Sequence, residues 1–338
     1  MIQPFSQGLA QDILKEIQKT QNIIMHCHPG PDADSMGSTL AMKFALQAMG
    51  KSVTLIKGDS DLPKYLSSLP GYDSVVLKNI FELDLTQFDL YLILDTGGIN
   101  QISKIKNVEF PESLQTIVID HHISNKGFAK INLVDATYPS TCEIVFELFK
   151  EWGIEITHDI ALCLYAGMYS DTGGFVYPTT SPRTMHIAAA LADKAPEFNS
   201  MIFTMMNNNT PGRLQAQGLL YSSIETWFSN SIAVSSLSYE DIQKIDAKPD
   251  DIAGLDVANN LKSVVGWNVG ISMIETEPGV VKISSRSRDG DVWDVSKIMT
   301  AMGGGGHKAA AGGRVEGTIE EAKTKLKSAI LEVYPDLK

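Results

Sequence analysis

The spacing of hydrophobic and polar residues changes near residue 225. Before that point, short apolar runs of strand length alternate with longer segments in which apolar residues recur every three or four positions. The short runs predict β-strands at residues 22–27, 51–57, 88–94 and 116–119. Strands that alternate with helices predict a parallel sheet joined by right-handed crossovers.

Segments with helical periodicity lie before, between and after these strands. We expect helices at residues 8–20, 35–49, 141–152 and 158–168, and Gly50 ends the second of them. From residue 182 to 223 the pattern is mostly helical. A polar break at residues 207–212 interrupts it and is the best candidate for a connection between two domains.

After residue 225 the pattern indicates strands of a mixed sheet, at residues 232–237, 264–274 and 280–285. Helices are expected at residues 250–261, 293–301 and 318–333. The sequence therefore predicts an α/β protein in three parts. Residues 1–190 form a domain with a parallel sheet flanked by helices, 191–224 a helical connector, and 225–338 a smaller α/β domain with a mixed sheet.

The composition is that of an ordinary globular protein. A length of 338 residues is enough for two domains, and contents of 43% hydrophobic and 20% charged residues are typical. The apolar runs are too short to span a bilayer, and the first residues lack the features of a signal peptide. The three cysteines lie in apolar contexts without metal-ligand spacing, so we expect reduced thiols in a cytoplasmic protein.

A net charge of −12 limits the class of partner. Tight binding of long nucleic acid needs many Lys and Arg contacts to phosphate, which this chain does not favour. A short phosphorylated ligand, held by metal ions and a few local cations, remains compatible with the charge. No membrane partner is expected, and a homodimer is left open.

Residues that can carry chemistry are concentrated in five short segments: His28–Asp34, Asp95–Gly98, Asp120–His122, Asp171–Gly174 and Gly303–His307. The first four follow an apolar stretch or a helix end, where α/β folds present ligand-binding residues. Carboxylates and imidazoles together are ligands of divalent ions such as Mn²⁺. The glycine run of the fifth segment allows backbone to approach a phosphate.

The spacing His28-x3-Asp32-x-Asp34 places three hard ligands in one turn. They can reach two metal sites about 3.5–4 Å apart, the usual two-metal spacing. The alternative is a polar turn in which Asp34 caps the following helix. Asp95 and Asp171 each begin the sequence Asp-Thr-Gly-Gly, and this recurrence favours a functional role for both over a simple turn or cap.

Asp120-His121-His122 is the most specific of the segments. Adjacent histidines on a loop point in different directions, so one can bind a metal while the other faces the substrate. Asp120 can orient an imidazole through a hydrogen bond. The alternative is a chance pair of surface histidines.

Glycines 303–306 followed by His307 suit phosphate binding, although a flexible linker is the alternative. Arg286 and Arg288 precede this run and could clamp a phosphate. We prefer Arg286, because Arg288 is equally well explained as a solvated strand end.

Taken together and in this order, the five segments resemble those of the DHH/DHHA1 phosphoesterase family over nearly the whole chain. The resemblance implies two Mn²⁺ ions, for which Mg²⁺ or Co²⁺ could substitute. The residues implied for the first ion are His28, Asp32 and Asp95. Those implied for the second are Asp34, Asp95, His121 and Asp171. His122 would face the scissile phosphate, and the substrate would be held by Arg286, Gly304, Gly305, Gly306 and His307.

Within this family, the motifs look like those of the short, two-domain branch that contains nanoRNases and pAp phosphatases. The implied activity is a metal-dependent phosphodiesterase that cleaves short oligoribonucleotides and linear dinucleotides, such as pApA and pGpG, to mononucleotides. Cleavage of pAp or of cyclic dinucleotides is a related possibility. One alternative is a manganese-dependent pyrophosphatase or exopolyphosphatase, and an alternative of another class is a nonenzymatic nucleotide sensor.

Overall fold

The computed structural model describes residues 2–245 and 247–337. They divide into two compact units, the first ending at Asn208 and the second beginning at Asn209. No helix within the described residues combines the length and the apolar character that crossing a bilayer requires.

The first unit contains six strands and six α-helices among its described residues. The strands are β1 (Ile2–Gln3), β2 (Asn22–His26), β3 (Ser52–Ile56), β4 (Leu90–Leu94), β5 (Gln115–Asp120) and β6 (Ile131–Val134). The helices are α1 (Gln7–Lys19), α2 (Ala33–Ala48), α3 (Thr141–Trp152), α4 (His158–Asp171), α5 (Pro182–Lys194) and α6 (Phe198–Met206). Five 3₁₀ helices of three residues each lie between β3 and β5, among otherwise irregular segments.

All six strands form one parallel sheet in the order β1-β6-β5-β4-β2-β3, which confirms the predicted fold class. The order in which successive strands are added across the sheet reverses between β2 and β4: β3 lies on one side of β2, and β4, β5 and β6 extend the sheet on the other. Such a switch point opens a crevice at the carboxyl ends of the strands, where ligands bind in folds of this class.

Residues of β4 alternate between two hydrophobic clusters, as expected for a strand buried on both faces. Leu90, Leu92 and Leu94 pack with the cluster that includes the helices, and Tyr91 and Ile93 pack on the opposite face. The second face is covered mainly by the irregular segments before β4 and β5. Burial on both faces explains why the strand reads as a continuous apolar run.

Strands β1 and β6 were not expected from the sequence. Strand β1 has two residues, and β6 has four with a polar Asn132 inside it, so neither gives a periodic signal. Asn132 is nevertheless buried, because its Oδ1 accepts hydrogen bonds from the N–H groups of Phe128 and Ala129.

The second unit also contains six strands and six α-helices among its described residues. The strands are β7 (Glu225–Trp227), β8 (Ile232–Leu237), β9 (Val269–Glu277), β10 (Val280–Ser287), β11 (Gly305–His307) and β12 (Ala310–Glu316). The helices are α7 (Pro211–Ser222), α8 (Tyr239–Lys244), α9 (Pro249–Ile252), α10 (Ala258–Ser263), α11 (Val295–Ala301) and α12 (Ile319–Val333).

These strands form a sheet in the order β11-β12-β10-β9-β8-β7, in which only β8 and β9 pair in parallel. The predicted mixed sheet is therefore confirmed. Two boundaries differ from expectation: the helix predicted at residues 250–261 is two short helices, and the strand predicted from residue 264 begins at Val269. Gly254 adopts a left-handed φ of 68° between the two helices, which breaks the helical run.

Candidate metal centre

The turn after β2 brings three of the candidate ligands together. The Asp32 Oδ1 accepts the N–H groups of Asp34 and Ser35 at 3.0 Å each, so Asp32 caps α2. The alternative in which Asp34 caps this helix is therefore wrong. Asp34 instead lies in the first turn of α2 with a fully buried side chain. His28 is held by its own N–H, which donates to Ser35 Oγ at 3.2 Å.

The remaining candidate ligands come from neighbouring elements of the same unit. Asp95 follows β4, Asp120 is the last residue of β5, and Asp171 is the last residue of α4. Because β5, β4 and β2 are adjacent and parallel, their carboxyl ends meet at one edge of the sheet. Helix α4 reaches this edge by packing closely on α2: a Cβ placed on Gly37 would lie 2.3 Å from the Cys163 carbonyl oxygen.

The structure gathers these side chains into three overlapping groups whose ligand atoms lie within 4.8 Å of one another. The groups are His28, Asp32 and Asp95; Asp34, His121 and Asp171; and Asp95, His121 and His122. The third group shares Asp95 with the first group and His121 with the second. The first two groups, which correspond to the two ligand sets implied by the family resemblance, therefore lie side by side.

The distances within the groups are longer than hydrogen bonds. His28 Nε2 is 3.5 Å from Asp95 Oδ2 and 3.7 Å from Asp32 Oδ1. His121 Nε2 is 3.4 Å from Asp171 Oδ2 and 3.6 Å from Asp95 Oδ1. Ligand atoms bound to one small divalent ion at about 2.1 Å are typically separated by about 3.0–3.5 Å. The spacing therefore suits a shared cation better than direct pairing.

His121 Nε2 provides a test of whether these residues fit a metal. The atom is buried and has no hydrogen-bond partner among the described residues, although it faces three carboxylates. Burial lowers the pKa of His121, which favours the neutral imidazole with a free lone pair. A buried unsatisfied ring nitrogen surrounded by carboxylates is what a metal ligand looks like without its ion. The donor set thus fits a divalent cation.

The electrostatics of the centre favour the binding of positive charge. Burial, together with the nearby carboxylates, raises the pKa of Asp34 and of Asp171 well above the usual range. Burial alone would lower the pKa of His28, but the nearby carboxylates of Asp32 and Asp95 outweigh it and raise the value to about 11.

Asp120 positions His122 instead of joining a ligand group. Its Oδ1 lies 2.7 Å from His122 Nδ1, which donates to the carboxylate, and its Oδ2 accepts from Asn125 Nδ2 at 2.8 Å. Burial opposes protonation of His122, but the bond to Asp120 and the charge of Asp95 raise its pKa to about 9. The His122 side chain is 32% exposed, so it can reach a ligand from solvent.

Two buried residues beside the centre, Asn125 and Thr141, had no role assigned from the sequence. Asn125 is 1% exposed and also donates to the Thr96 carbonyl oxygen, so it joins the loops after β4 and β5. Thr141 contacts both Asp34 and Asp95. The sequence feature that could have pointed to Thr141 was its position directly after Ser140, at the start of a predicted helix.

The candidate substrate residues lie on the second unit. Arg286 is in β10 and pairs with Asp256 at 3.2 Å, whereas the Arg288 guanidinium donates to the carbonyl oxygens of Lys262 and Val264. The Arg288 side chain is therefore already engaged with backbone carbonyl groups of the second unit. His307 ends the edge strand β11 and is exposed.

The glycine run is partly a strand, not the loop that the sequence suggested. A Cβ on Gly304 would lie 2.4 Å from the Gly312 carbonyl oxygen, and one on Gly306 would lie 2.5 Å from Ala311 Cα. Close approach to β12 therefore explains these two glycines. Gly305 has nothing within 4 Å of an added Cβ, so packing within the unit does not require glycine there.

Comparison with known proteins places these features in a family. Residues 22–168 match the N-terminal domain of the DHH family, and residues 230–334 match the DHHA1 domain. The chain is 28% identical to the bifunctional oligoribonuclease and PAP phosphatase NrnA of Thermus thermophilus, over 96% of this chain and 93% of that protein. It is 23% identical to the protein of the same name from Bacillus subtilis, over 90% of this chain and 92% of that one.

A solved structure of similar fold is that of an exopolyphosphatase-related protein from Bacteroides fragilis. The two share 25% sequence identity with a TM-score of 0.89, and the match covers 98% of this chain and 97% of the other.

Proposed function

Since the chain belongs to the DHH family of phosphoesterases and carries a DHHA1 domain, we propose that it is a metal-dependent phosphodiesterase of very short RNA. Its substrates are short oligoribonucleotides and linear dinucleotides such as pApA and pGpG, which it cleaves to mononucleotides. It also removes a phosphate from pAp. Relatives named for these two activities align over nearly their whole length, which supports the proposal.

The observation that carries the proposal is the pair of ligand groups that share one edge of the sheet. His28, Asp32 and Asp95 hold one divalent cation, and Asp34, Asp95, His121 and Asp171 hold the second. When bound, the two ions activate a water molecule and neutralise charge on the phosphoryl oxygens. Mn²⁺ is the proposed metal, because the set mixes imidazole with carboxylate ligands.

His122 acts on the reacting phosphate. With Nδ1 bound to Asp120, the Nε2 atom of the protonated ring donates a hydrogen bond to a phosphoryl oxygen. The raised pKa keeps this proton on the ring near neutral pH. Asp120, held in turn by Asn125, fixes the direction of the ring.

The second unit selects the substrate in this proposal. Arg286, His307 and the backbone of Gly304, Gly305 and Gly306 bind the part of a dinucleotide that lies away from the reacting phosphate. Gly305 supports this role, since packing within its own unit does not account for a glycine at that position. Arginine pairs well with phosphate because its guanidinium donates two parallel hydrogen bonds.

A panel of substrates tests the proposal. Purified protein with Mn²⁺ is incubated with pApA, pGpG, a ladder of short RNAs, cyclic di-AMP, pAp and pyrophosphate, and the products are separated by chromatography. We expect the highest kcat/KM for linear dinucleotides, measurable release of phosphate from pAp, and a decline with RNA length. Hydrolysis confined to RNAs much longer than a few nucleotides would refute the proposal.

A second candidate function is a manganese-dependent exopolyphosphatase or pyrophosphatase. The fold similarity to the exopolyphosphatase-related protein from Bacteroides fragilis favours it. The same panel separates the two, because this candidate requires pyrophosphate or polyphosphate to be preferred over every dinucleotide.

A further inference from the structure

The start of α3 forms hydrogen bonds with the Asp34 carboxylate of the candidate metal centre. Ser140 caps the helix, since its Oγ accepts the Glu143 N–H at 3.2 Å. The first N–H groups of a helix have no partner inside the helix. Those of Thr141 and Cys142 donate to Asp34, at 2.6 Å to Oδ2 and 2.9 Å to Oδ1. Both carboxylate oxygens of Asp34 are therefore fixed by the start of α3.

Thr141 reaches a second carboxylate through its side chain. The hydroxyl donates to Asp95 Oδ1 at 3.1 Å. Thr141 is fully buried and Asp95 is 1% exposed, so bulk water cannot easily replace this donor. One residue thus joins Asp34 and Asp95, which follow different strands of the sheet.

The carboxylate that Thr141 contacts belongs to a residue with an uncommon backbone conformation. Its φ is 50°, in the left-handed region that residues other than glycine adopt uncommonly and that aspartate tolerates better than most. The Asp95 N–H donates to the Ile119 carbonyl oxygen at 3.0 Å, which fixes the main chain. The nearest imidazole nitrogens of His28 and His121 lie at 3.5 and 3.6 Å from the carboxylate, so of these three contacts only that of the Thr141 hydroxyl, at 3.1 Å, has the length of a hydrogen bond.

The start of α3 is itself anchored. Glu143 is fully buried and accepts from Arg183 Nε at 2.6 Å, and the Arg183 guanidinium lies 3.8 Å above the centre of the Tyr138 ring. On the other side of Asp34, a Cβ on Gly167 would lie 2.7 Å from Asp34 Oδ1. The carboxylate is thus enclosed between α3 and α4, with little room to rotate.

We propose that Thr141 is a positioning residue of the metal centre, which uses its N–H and its hydroxyl to hold Asp34 and Asp95 ready for two divalent cations. The inference rests on the metal-dependent function proposed above. Residues that orient metal ligands change metal affinity or activity by about 10–100-fold when they are replaced.

Thr141→Val tests this role, because it removes the hydroxyl and keeps the N–H and the branched shape. Thr141→Ser restores the hydroxyl. The readouts are the stoichiometry and affinity of Mn²⁺ binding to the metal-free protein, with kcat and KM for pApA measured separately. Thr116→Val is a matched control: Thr116 is 2% exposed near the start of β5, and its hydroxyl accepts the Lys130 N–H at 2.9 Å.

We expect Thr141→Val to weaken Mn²⁺ binding by about 10–100-fold and to lower kcat more than it changes KM. Thr141→Ser should bind Mn²⁺ like the parent, and Thr116→Val should lose stability while its Mn²⁺ affinity stays unchanged. Thr141→Ala serves the same purpose if the valine variant does not fold.

Either of two results overturns the inference: a folded variant without the hydroxyl that binds Mn²⁺ like the parent, or an equal loss of affinity in Thr116→Val. The proposed function is judged separately. A parent protein that binds Mn²⁺ but cleaves no phosphoester refutes the function, while the Mn²⁺ titrations still decide the role of Thr141.

Discussion

Replacing Asp120 with asparagine should change the pH dependence of hydrolysis without removing metal. The Asp120 carboxylate accepts from His122 Nδ1 at 2.7 Å and keeps the ring protonated, with a pKa of about 9. An asparagine oxygen can still accept this hydrogen bond and keep the ring in its direction, while the bond from Asn125 Nδ2 to Asp120 Oδ2 is lost. The negative charge is lost, however, and burial of the ring then favours the neutral form.

The expected magnitude follows from the two protonation states. At pH 7.5 a group with a pKa of about 9 is about 97% protonated, whereas one at the ordinary value of 6.5 is about 9% protonated. The variant should therefore lose about tenfold in kcat at this pH and recover activity as the pH falls. Bound cations would lower both pKa values, so the prediction concerns the difference between the two proteins.

The assay is kcat for pApA with saturating Mn²⁺ from pH 5.5 to 9.5, together with metal analysis of each protein. We expect the alkaline limb of the Asp120→Asn profile to lie about 2.5 pH units below that of the parent. The Mn²⁺ content should be unchanged, because Asp120 belongs to none of the ligand groups. Superimposable alkaline limbs would refute the reasoning that Asp120 sets the protonation of His122.

Three further predictions concern the metal, the substrate and pH. Activity should require added metal, with Mn²⁺ more effective than Mg²⁺, and full turnover by exhaustively chelated protein would contradict this. His307→Ala and Arg286→Ala should keep the Mn²⁺ content and lose about one to two decades in kcat/KM, equivalent to about 1.5–3 kcal/mol. That loss should be larger for pApA than for bis-p-nitrophenyl phosphate, because the latter has no second nucleotide to bind. Equal losses would contradict a role of Arg286 and His307 in binding the second nucleotide. Stabilisation by Mn²⁺ in thermal unfolding should grow from pH 5 to pH 8: the metal-free fold loses stability as Asp34 and Asp171 deprotonate through their raised pKa values, and Mn²⁺ neutralises the carboxylates. If the increase in Tm on addition of Mn²⁺ stays constant or becomes smaller from pH 5 to pH 8, this prediction is wrong.

The sequence predicted the first sheet because its central strands are buried on both faces. β4 is an unbroken apolar run before Asp95, β5 has Ile-Val-Ile before Asp120, and parallel strands bring such ends to one edge. The short outer strands β1 and β6 gave no comparable signal, since their place depends on neighbours that are distant in sequence.

For the same reason, the sequence predicted that the candidate ligands lie close together. It did not predict the residues and backbone conformations that hold these ligands in place. The contacts of Thr141 with Asp34 and Asp95 span more than forty residues of sequence and depend on how α3 packs against the sheet. The positive φ of Asp95 likewise has no sequence signal, because aspartate is compatible with several turn conformations. In the second unit, β11 was hidden because glycines that approach β12 closely look like a flexible loop.

The most direct test of the proposed metal centre is Mn²⁺-dependent hydrolysis of pApA by the parent and by Asp95→Asn. Asparagine keeps the shape of Asp95 and tolerates its left-handed backbone, but it removes the charge shared by both proposed metal sites. We predict that the parent converts pApA to AMP with two Mn²⁺ bound per chain. The variant should fold, bind less Mn²⁺ and show no measurable turnover. Substantial Mn²⁺-dependent turnover by folded Asp95→Asn would contradict a two-metal centre built around Asp95.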